Sequence, residues 1–421
     1  MNRRQEAPHF SSLASAFSLI CTTIGGLATG HLVGLLVSAV IRRKRAPVER
    51  SSDISFAVVI PAHDEETGIG RTLQSIQATG YPRALRRAVV VADNCTDRTA
   101  DVARAAGAEV WERCDNDRRG KGYALQWAFS RLVEDSAIDA VCVIDADCEV
   151  SVNLLSAMAA RLAGGAEAVQ AAYFVSSPHD SPEAALRWAG FALFNFVRPL
   201  GRQRLGLSSG LLGTGMAFSR GLLLRSPWSA FSLAEDREQH MRWVLAGTRV
   251  EFADDAGVVS PTPHRAAARK TQAARWDSGR GDLARTMTPR LLRRWLRTGD
   301  RVAFDAALEP VLPPQSLLAG INLSALLAAR AARRRALVSA ASFVVAGQVG
   351  YVLGGLAALN APMPVWRALL SSPRFVLGRL HGLSGHVIGK RPAEWKRTER
   401  TSVVSGGDDQ DLDAIRARTP A

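Results

Sequence analysis

The stretch Ala140-Val141-Cys142-Val143-Ile144-Asp145-Ala146-Asp147 decides the fold. Five apolar residues form a strand that buries its length and then breaks off into two carboxylates. In extended backbone, residues two apart point to the same side, so Asp145 and Asp147 reach a single cation or polyphosphate from one strand end. An Asp-x-Asp by itself is common and reads as a solvated turn. Here the strands upstream end in the same way: Phe56-Ala57-Val58-Val59-Ile60 runs into Pro61-Ala62-His63-Asp64-Glu65-Glu66, and Ala88-Val89-Val90-Val91-Ala92 into Asp93-Asn94-Cys95-Thr96-Asp97.

Between those two strands Ile69, Leu73 and Ile76 recur at helical spacing, Gly80 supplies a stop and Pro82 prevents continuation. A second helix is expected from about Arg98 to Ala106, ended by Gly107, and leads to a short strand at Glu109-Val110-Trp111. A third helix, with Leu125, Ala128, Phe129 and Leu132 on one face, leads to the Asp145 strand. Strands that are continuously Val, Ile and Ala fit a mostly parallel central sheet covered on both faces, an α/β fold. Such sheets bind ligands outside the carboxyl ends of their strands, where His63, Asp93, Asp145 and Asp147 all fall.

A dinucleotide site is excluded. Gly68-Ile69-Gly70 has Leu73 where the third glycine belongs, and Asp64, Glu65 and Glu66 before it would repel a pyrophosphate. Gly120-Lys121 is not a Walker loop, because Tyr123 follows and the upstream glycine is missing. A nucleotide site lined with carboxylates implies a divalent cation between acid and phosphate, and oxygen ligands suit Mg²⁺ or Mn²⁺.

Three later clusters each have a plain structural reading. Glu235 and Asp236 open a helix that runs to about Ala246, and acids in a first turn complement the helix dipole. Gln272, Arg275 and Trp276 share one helix face as a surface group, and Gly213-Thr214-Gly215 makes a turn. In this order, however, the first acidic strand end, Asp93, Arg119-Gly120-Lys121-Gly122, Asp145-x-Asp147, Gly213-Thr214-Gly215, Glu235-Asp236 and Gln272-x-x-Arg275-Trp276 resemble the family-2 glycosyltransferases of the GT-A fold. The resemblance covers roughly residues 53–300. It is closest to the membrane-embedded branch of cellulose, chitin, hyaluronan and poly-N-acetylglucosamine synthases and ceramide glucosyltransferase.

The resemblance implies roles. Asp93 would hold the base or ribose of a UDP-sugar donor, with Ala62, His63 and Glu65 lining the same pocket. Lys121, Gln272 and Arg275 would face the diphosphate. Asp145 would touch ribose or metal, and Asp147 would be the direct metal ligand. Asp236 would be the catalytic base, while Trp276, Glu235, Gly213 and Thr214 would form the acceptor side. One position departs: the family often has Asn where Asp64 stands, which leaves that contact open. Without a carboxylate nucleophile beside the base, the simplest mechanism is a single displacement with inversion, turning an α-linked donor sugar into a β-linked product.

The setting follows from composition. The chain has 421 residues, 47% hydrophobic, and a formal net charge of +14. From about Ser12 to Ile41 it carries no Lys, Arg, Asp or Glu, enough to cross a bilayer and too long for a signal-peptide core. Arg42-Arg43-Lys44-Arg45 then place the catalytic part in the cytoplasm by the positive-inside rule. Val311 to about Ala331 and Leu337 to about Leu359 are further candidate spans, although the arginines between them run against that rule. Residues from about Ala184 to Arg204 and from Val365 to His386 read as interfacial helices. The expected organisation is therefore an anchor over 1–45, a catalytic domain over 53–300, membrane and interfacial helices over 305–392 and a disordered polar tail over 393–421, in a multi-pass protein of the cell membrane. The basic charge lies beside apolar segments and the diphosphate candidates, so no nucleic-acid partner is expected. Cys21, Cys95, Cys114, Cys142 and Cys148 lack metal spacing and read as reduced thiols.

Three activities fit: a transferase extending a saccharide, a transferase that places one sugar on a lipid, and a scaffold for export that keeps an inactive transferase fold. The presence of every expected acidic and basic residue speaks against the third.

Overall fold

The computed structural model describes residues 6–41, 53–176, 178–261 and 277–371. The described residues form two compact units, one within 6–41, 178–201 and 312–371, the other within 53–176, 202–261 and 277–311.

The second unit is built on an eight-stranded sheet with strand order β3-β2-β1-β4-β7-β6-β8-β5. The strands are β1 (Phe56–Ala62), β2 (Arg86–Asp93), β3 (Glu109–Arg113), β4 (Ala140–Val143), β5 (Glu149–Val150), β6 (Ala168–Val175), β7 (Met216–Ser219) and β8 (Val250–Ser260). The first half, β3-β2-β1-β4, is parallel throughout, with α2 (Ile69–Gln77), α3 (Thr99–Ala105) and α4 (Lys121–Leu132) as crossovers. β7 runs antiparallel to both β4 and β6, β8 is parallel to β6, and β5 closes the edge antiparallel to β8. The α/β sheet expected from the apolar runs is present, with an antiparallel insertion at β7.

Period-two alternation divides the core. Val58, Ile60, Val90, Cys142 and Ile144 face one side, where they pack with α2 and α5 (Leu154–Ala163). Ala57, Val59, Val91, Val141 and Val143 face the other, against α4, α8 (Arg220–Arg225) and the fully buried Trp228 and Trp243. Burial of both faces is why these strands are continuously apolar. A further apolar cluster joins α9 (Glu235–Ala246), α10 (277–286), α11 (Thr288–Thr298) and α12 (Arg301–Leu308) through Met241, Val244, Leu283, Leu291, Ala303 and Ala307.

The other unit contains α1 (Glu6–Val40), α6 (Pro182–Ala192), a π-helical turn over Leu193–Val197, α13 (Gln315–Ala331), α14 (Arg335–Ala358) and α15 (Met363–Ala368). The chain passes from this unit to the other within α7 (Arg198–Arg204). Among the described residues two helices, Ser11–Val40 and Arg335–Ala358, are long and apolar enough to cross a membrane. α13, expected as a third span, has 17 residues and at about 1.5 Å per residue falls short of a hydrocarbon core of about 30 Å. It meets α1 and α14 through polar and small residues: Asn322 Nδ2 donates to Gln348 Oε1 at 2.8 Å and to Thr29 Oγ1 at 3.3 Å, and Ser18 Oγ donates to Ala325 O at 2.9 Å. Trp188 and Phe196, in the expected interfacial segment, are buried in this unit. The basic run 42–45, most of the segment 365–386 and the tail lie outside the described residues.

Candidate active site

The site forms where the parallel strands end. Gly120, at φ 115, turns the chain so that Lys121 becomes the first residue of α4. Lys121 Nζ pairs with the Asp145 carboxylate and donates to Gly213 O at 2.7 Å. Burial alone would lower the lysine pKa, but the charges of Asp145, Glu235 and Asp236 outweigh it and hold the pKa above its usual value. The lysine is therefore a fixed cation at the end of β4.

Gly213 and Gly215, with φ of 92 and 65, shape the loop entering β7. The buried Thr214 between them accepts a hydrogen bond at Oγ1 from the Asp145 N–H at 3.1 Å. A Cβ on Gly213 would stand 3.5 Å from Asp236 Oδ2 and 3.7 Å from Lys121 Nζ. Asp145, Lys121, Gly213, Thr214 and Asp236, spread over more than ninety residues of sequence, thus come together in one place.

α9 carries Glu235 and Asp236 in its first turn and stops at Gly247, which adopts φ 91. Burial raises both carboxyl pKa values; Glu235 is raised further by Asp236, and for Asp236 Arg237 offsets part of the rise. Acids placed only to complement a helix dipole would be lowered, so the plain structural reading of this pair is insufficient. The distance between α9 and α4 is set by the loop before α9. Glu238 Oε2 accepts from Ser232 N–H at 3.1 Å, and Gln239 Oε1 from Ser229 N–H at 2.8 Å. Phe231 stacks on Tyr123 with ring centroids 4.4 Å apart, and a Cβ on Gly122 would lie 2.3 Å from Ala230 O.

Asp145, Asp147 and Cys148 offer ligand atoms within 4.8 Å of one another. The buried Cys148 thiol has its pKa pushed well above the ordinary value by burial and the charge of Asp145, which favours the carboxylates as ligands. The two carboxylates remain, a hard oxygen set that fits Mg²⁺ or Mn²⁺. Beside Asp147 lies a small depression lined also by Arg71, Glu149 and Ser260. Ser260 Oγ is 2.9 Å from the hydroxyl of Tyr173.

At the end of β2, His63 Nδ1 lies 2.7 Å from Asp93 O, and the buried Asp93 carboxylate accepts from Arg113 Nη1 at 2.5 Å. Burial raises the Asp93 pKa although Arg113 opposes the rise. Arg113 was not anticipated from sequence; the signal was there, since a parallel β3 places it directly opposite Asp93. Ala62 is buried beneath this corner, and Glu65 N–H donates to Thr99 Oγ1 at 2.7 Å. Asp64, left open by the sequence, adopts φ 55 and accepts from Thr96 N–H at 2.6 Å and Asp97 N–H at 3.3 Å. Burial raises its pKa and these bonds lower it below the ordinary value on balance. Asp64 braces the loop after β2, and that bracing explains its proximity to Cys95 and Asp97. Gln272, Arg275 and Trp276 lie outside the described residues.

Comparison with known proteins bears on this arrangement. The family model described as "Glycosyltransferase like family 2" matches residues 53–279. A probable glycosyltransferase of Bacillus subtilis, YdaM, is 27% identical over 239 residues, 53% of this chain and 54% of the relative. The 4,4'-diaponeurosporenoate glycosyltransferase of Staphylococcus haemolyticus is 28% identical over 174 residues, 39% of this chain and 42% of the relative. The chain thus spans about half the length, or less, of these relatives. Among solved structures, the mannosyltransferase PcManGT of Pyrobaculum calidifontis, in complex with GDP-Man and Mn²⁺, superposes with a TM-score of 0.52 at 19% identity, covering 82% of this chain and 98% of its own. At that identity the likeness is one of fold.

Proposed function

The chain belongs to the glycosyltransferase-like family 2, and from that premise we propose that it is a membrane-bound inverting glycosyltransferase that moves a sugar from a nucleotide donor, UDP-linked, onto a growing saccharide in β-linkage. The observation that carries the proposal is the meeting of Lys121, Asp145 and Asp236 around Gly213, from three separate elements.

Asp93, pre-oriented by Arg113 and joined by Ala62, His63 and Glu65, would receive the nucleoside. Asp147, with Asp145, would hold Mg²⁺ or Mn²⁺, which when bound offsets charge on the departing diphosphate. Lys121 supplies a fixed positive charge to the same leaving group, in a partly buried site where it is weakly screened. Gln272 and Arg275 would add to it. Asp236 would accept the proton of the acceptor hydroxyl, a contribution of about 10²–10⁴-fold for a well-placed base. Its pKa, raised by burial, makes it a stronger base than an exposed aspartate. Glu235, Gly213, Thr214 and Trp276 would form the acceptor side, and the α1 and α14 spans would keep the domain at a membrane, on its cytoplasmic side.

Membranes carrying the protein, offered a panel of UDP- and GDP-sugars with Mn²⁺ or Mg²⁺, should release nucleoside diphosphate and label a product, and Asp236→Asn should slow both by about 10²–10⁴-fold. GDP-sugars belong in the panel because the superposable mannosyltransferase was solved with GDP-Man. A second reading, transfer of one sugar to a lipid, is favoured by the apolar residues exposed on the candidate spans, among them Phe17, Leu27 and Phe343. A single labelled glycolipid supports that reading, and a ladder of products supports the first.

A further inference from the structure

We propose that Gln170 is a positioning residue of the active site, acting through the Leu212–Gly215 loop; the inference rests on the transferase reading of that site. Gln170 lies in β6 and is 0% exposed, between the equally buried Val169 and Ala171. A strand interior of this kind is normally apolar, because a buried amide must recover the hydrogen bonds it gave up in water.

The Gln170 amide recovers them from one place. Oε1 accepts from Leu212 N–H at 2.9 Å. Nε2 donates to Thr214 O at 2.8 Å, within reach also of Ala171 O at 2.9 Å and Gly215 O at 3.2 Å. Two N–H hydrogens serve three carbonyls, so one is shared. The loop is thereby gripped on both sides of Gly213. Two further bonds leave the loop toward the reacting groups: Gly213 O receives Lys121 Nζ at 2.7 Å, and Thr214 Oγ1 receives Asp145 N–H at 3.1 Å.

Each of those bonds lies within two residues of a bond to Gln170. The side chain itself touches neither donor nor acceptor; it fixes the loop against which the diphosphate lysine and the metal-side carboxylate are set. At Gly215 a Cβ would come within 2.9 Å of Val258 Cγ2, so the loop has little room for an alternative path. Released from Gln170, it would let Lys121 and Asp145 drift, and the cation site and leaving-group site would loosen together.

The test uses the full-length protein in detergent, with Gln170→Met, which keeps volume but makes no hydrogen bonds, and Gln170→Glu, which turns an oxygen toward three carbonyls. Mn²⁺ uptake in the presence of UDP or of GDP is followed by electron paramagnetic resonance, and turnover is expressed per folded molecule. Leu155→Ala, in α5 beneath the sheet, controls for lost stability. Both Gln170 variants should bind Mn²⁺ at least fivefold more weakly and turn over 10–100-fold more slowly, Glu more affected than Met, while Leu155→Ala melts earlier with wild-type Mn²⁺ affinity. Mn²⁺ affinities within twofold of wild type in both Gln170 variants would overturn the inference alone. A wild-type protein that neither binds Mn²⁺ nor releases diphosphate would overturn the transferase site itself, and this inference with it.

Discussion

Arg113 stands opposite Asp93 in the parallel pairing of β3 with β2 and donates to its carboxylate at 2.5 Å, both side chains being less than a tenth exposed. Its second Nη donates to Arg118 O at 2.7 Å and pairs with Asp115 at 2.9 Å, so one guanidinium ties the end of β2 to the loop that leads into Lys121. A buried carboxylate held in this way is set in direction before any ligand arrives.

Replacing Arg113 by Met leaves Asp93 buried without its partner, which destabilises by about 3–5 kcal/mol. Replacing both residues by apolar ones should return most of that stability, since an apolar pair of similar volume needs no desolvation. Donor binding should not return. Thermal melts of Arg113→Met and of Arg113→Met with Asp93→Leu, alongside donor KM, check this: recovery of melting temperature and KM together would count against Asp93 as the nucleoside contact.

Asp236→Asn should lower kcat by about 10²–10⁴-fold with donor KM little changed, because the amide cannot take a proton. Burial places the Asp236 pKa above its ordinary 3.8. In the proposed role of base the working form is the carboxylate, so activity should be lost as pH falls through that raised pKa, and the acid limb of the rate profile should lie above the range of an exposed aspartate. A kcat profile from pH 4 to 8 measures it. A limb at the ordinary aspartate value would contradict the buried geometry.

The strands β1, β2 and β4 and the groups at their ends were legible because two-sided burial leaves an unbroken Val/Ile/Ala signature that a few polar residues terminate. The second half of the sheet was not. β5 has 2 residues and β7 has 4, and β8 carries Asp254 and Asp255 where its register against β6 shifts, so neither length nor alternation marks them. Gln170 escaped because a buried amide looks like a polar fault in an apolar run until the loop it holds is seen. Gly213-Thr214-Gly215 read equally as a turn or a motif, and only its bonds to Lys121 and Asp145 separate the two.

At Gly122, α4 packs tightly against the loop before α9. A methyl group there would lie 2.3 Å from Ala230 O, which belongs to backbone and cannot swing aside. Gly122→Ala should therefore displace Lys121 from Asp236 by a fraction of an ångström or more, and overpacking of this sort destabilises by about 1–3 kcal/mol. Misplacement on the 1 Å scale lowers rate by about 10²-fold. Measured kcat and melting temperature should both fall. A variant that loses stability but keeps full turnover per folded molecule would show that the two helices are not held in register by this contact.

His240, one helical turn after Asp236, is 2% exposed and its Nε2 lies 2.9 Å from Ser208 Oγ, which accepts from Val250 N–H at 2.9 Å. Burial lowers its pKa from 6.5 to about 4, against the pull of Glu309 and with the push of Arg202. The unfolded chain therefore binds this proton more readily than the folded one, and between pH 6.5 and 4 each step down in pH favours unfolding. The stability at stake is about 3 kcal/mol, fully present above pH 6.5 and lost progressively toward pH 4. In His240→Gln, which cannot titrate, the melting temperature should change less over that window than in wild type, whatever its value at pH 7. Parallel curves for the two proteins from pH 7 to 4.5 would mean that His240 takes up its proton without disturbing the fold, and that Ser208 and the α9 face around it have room for a charge.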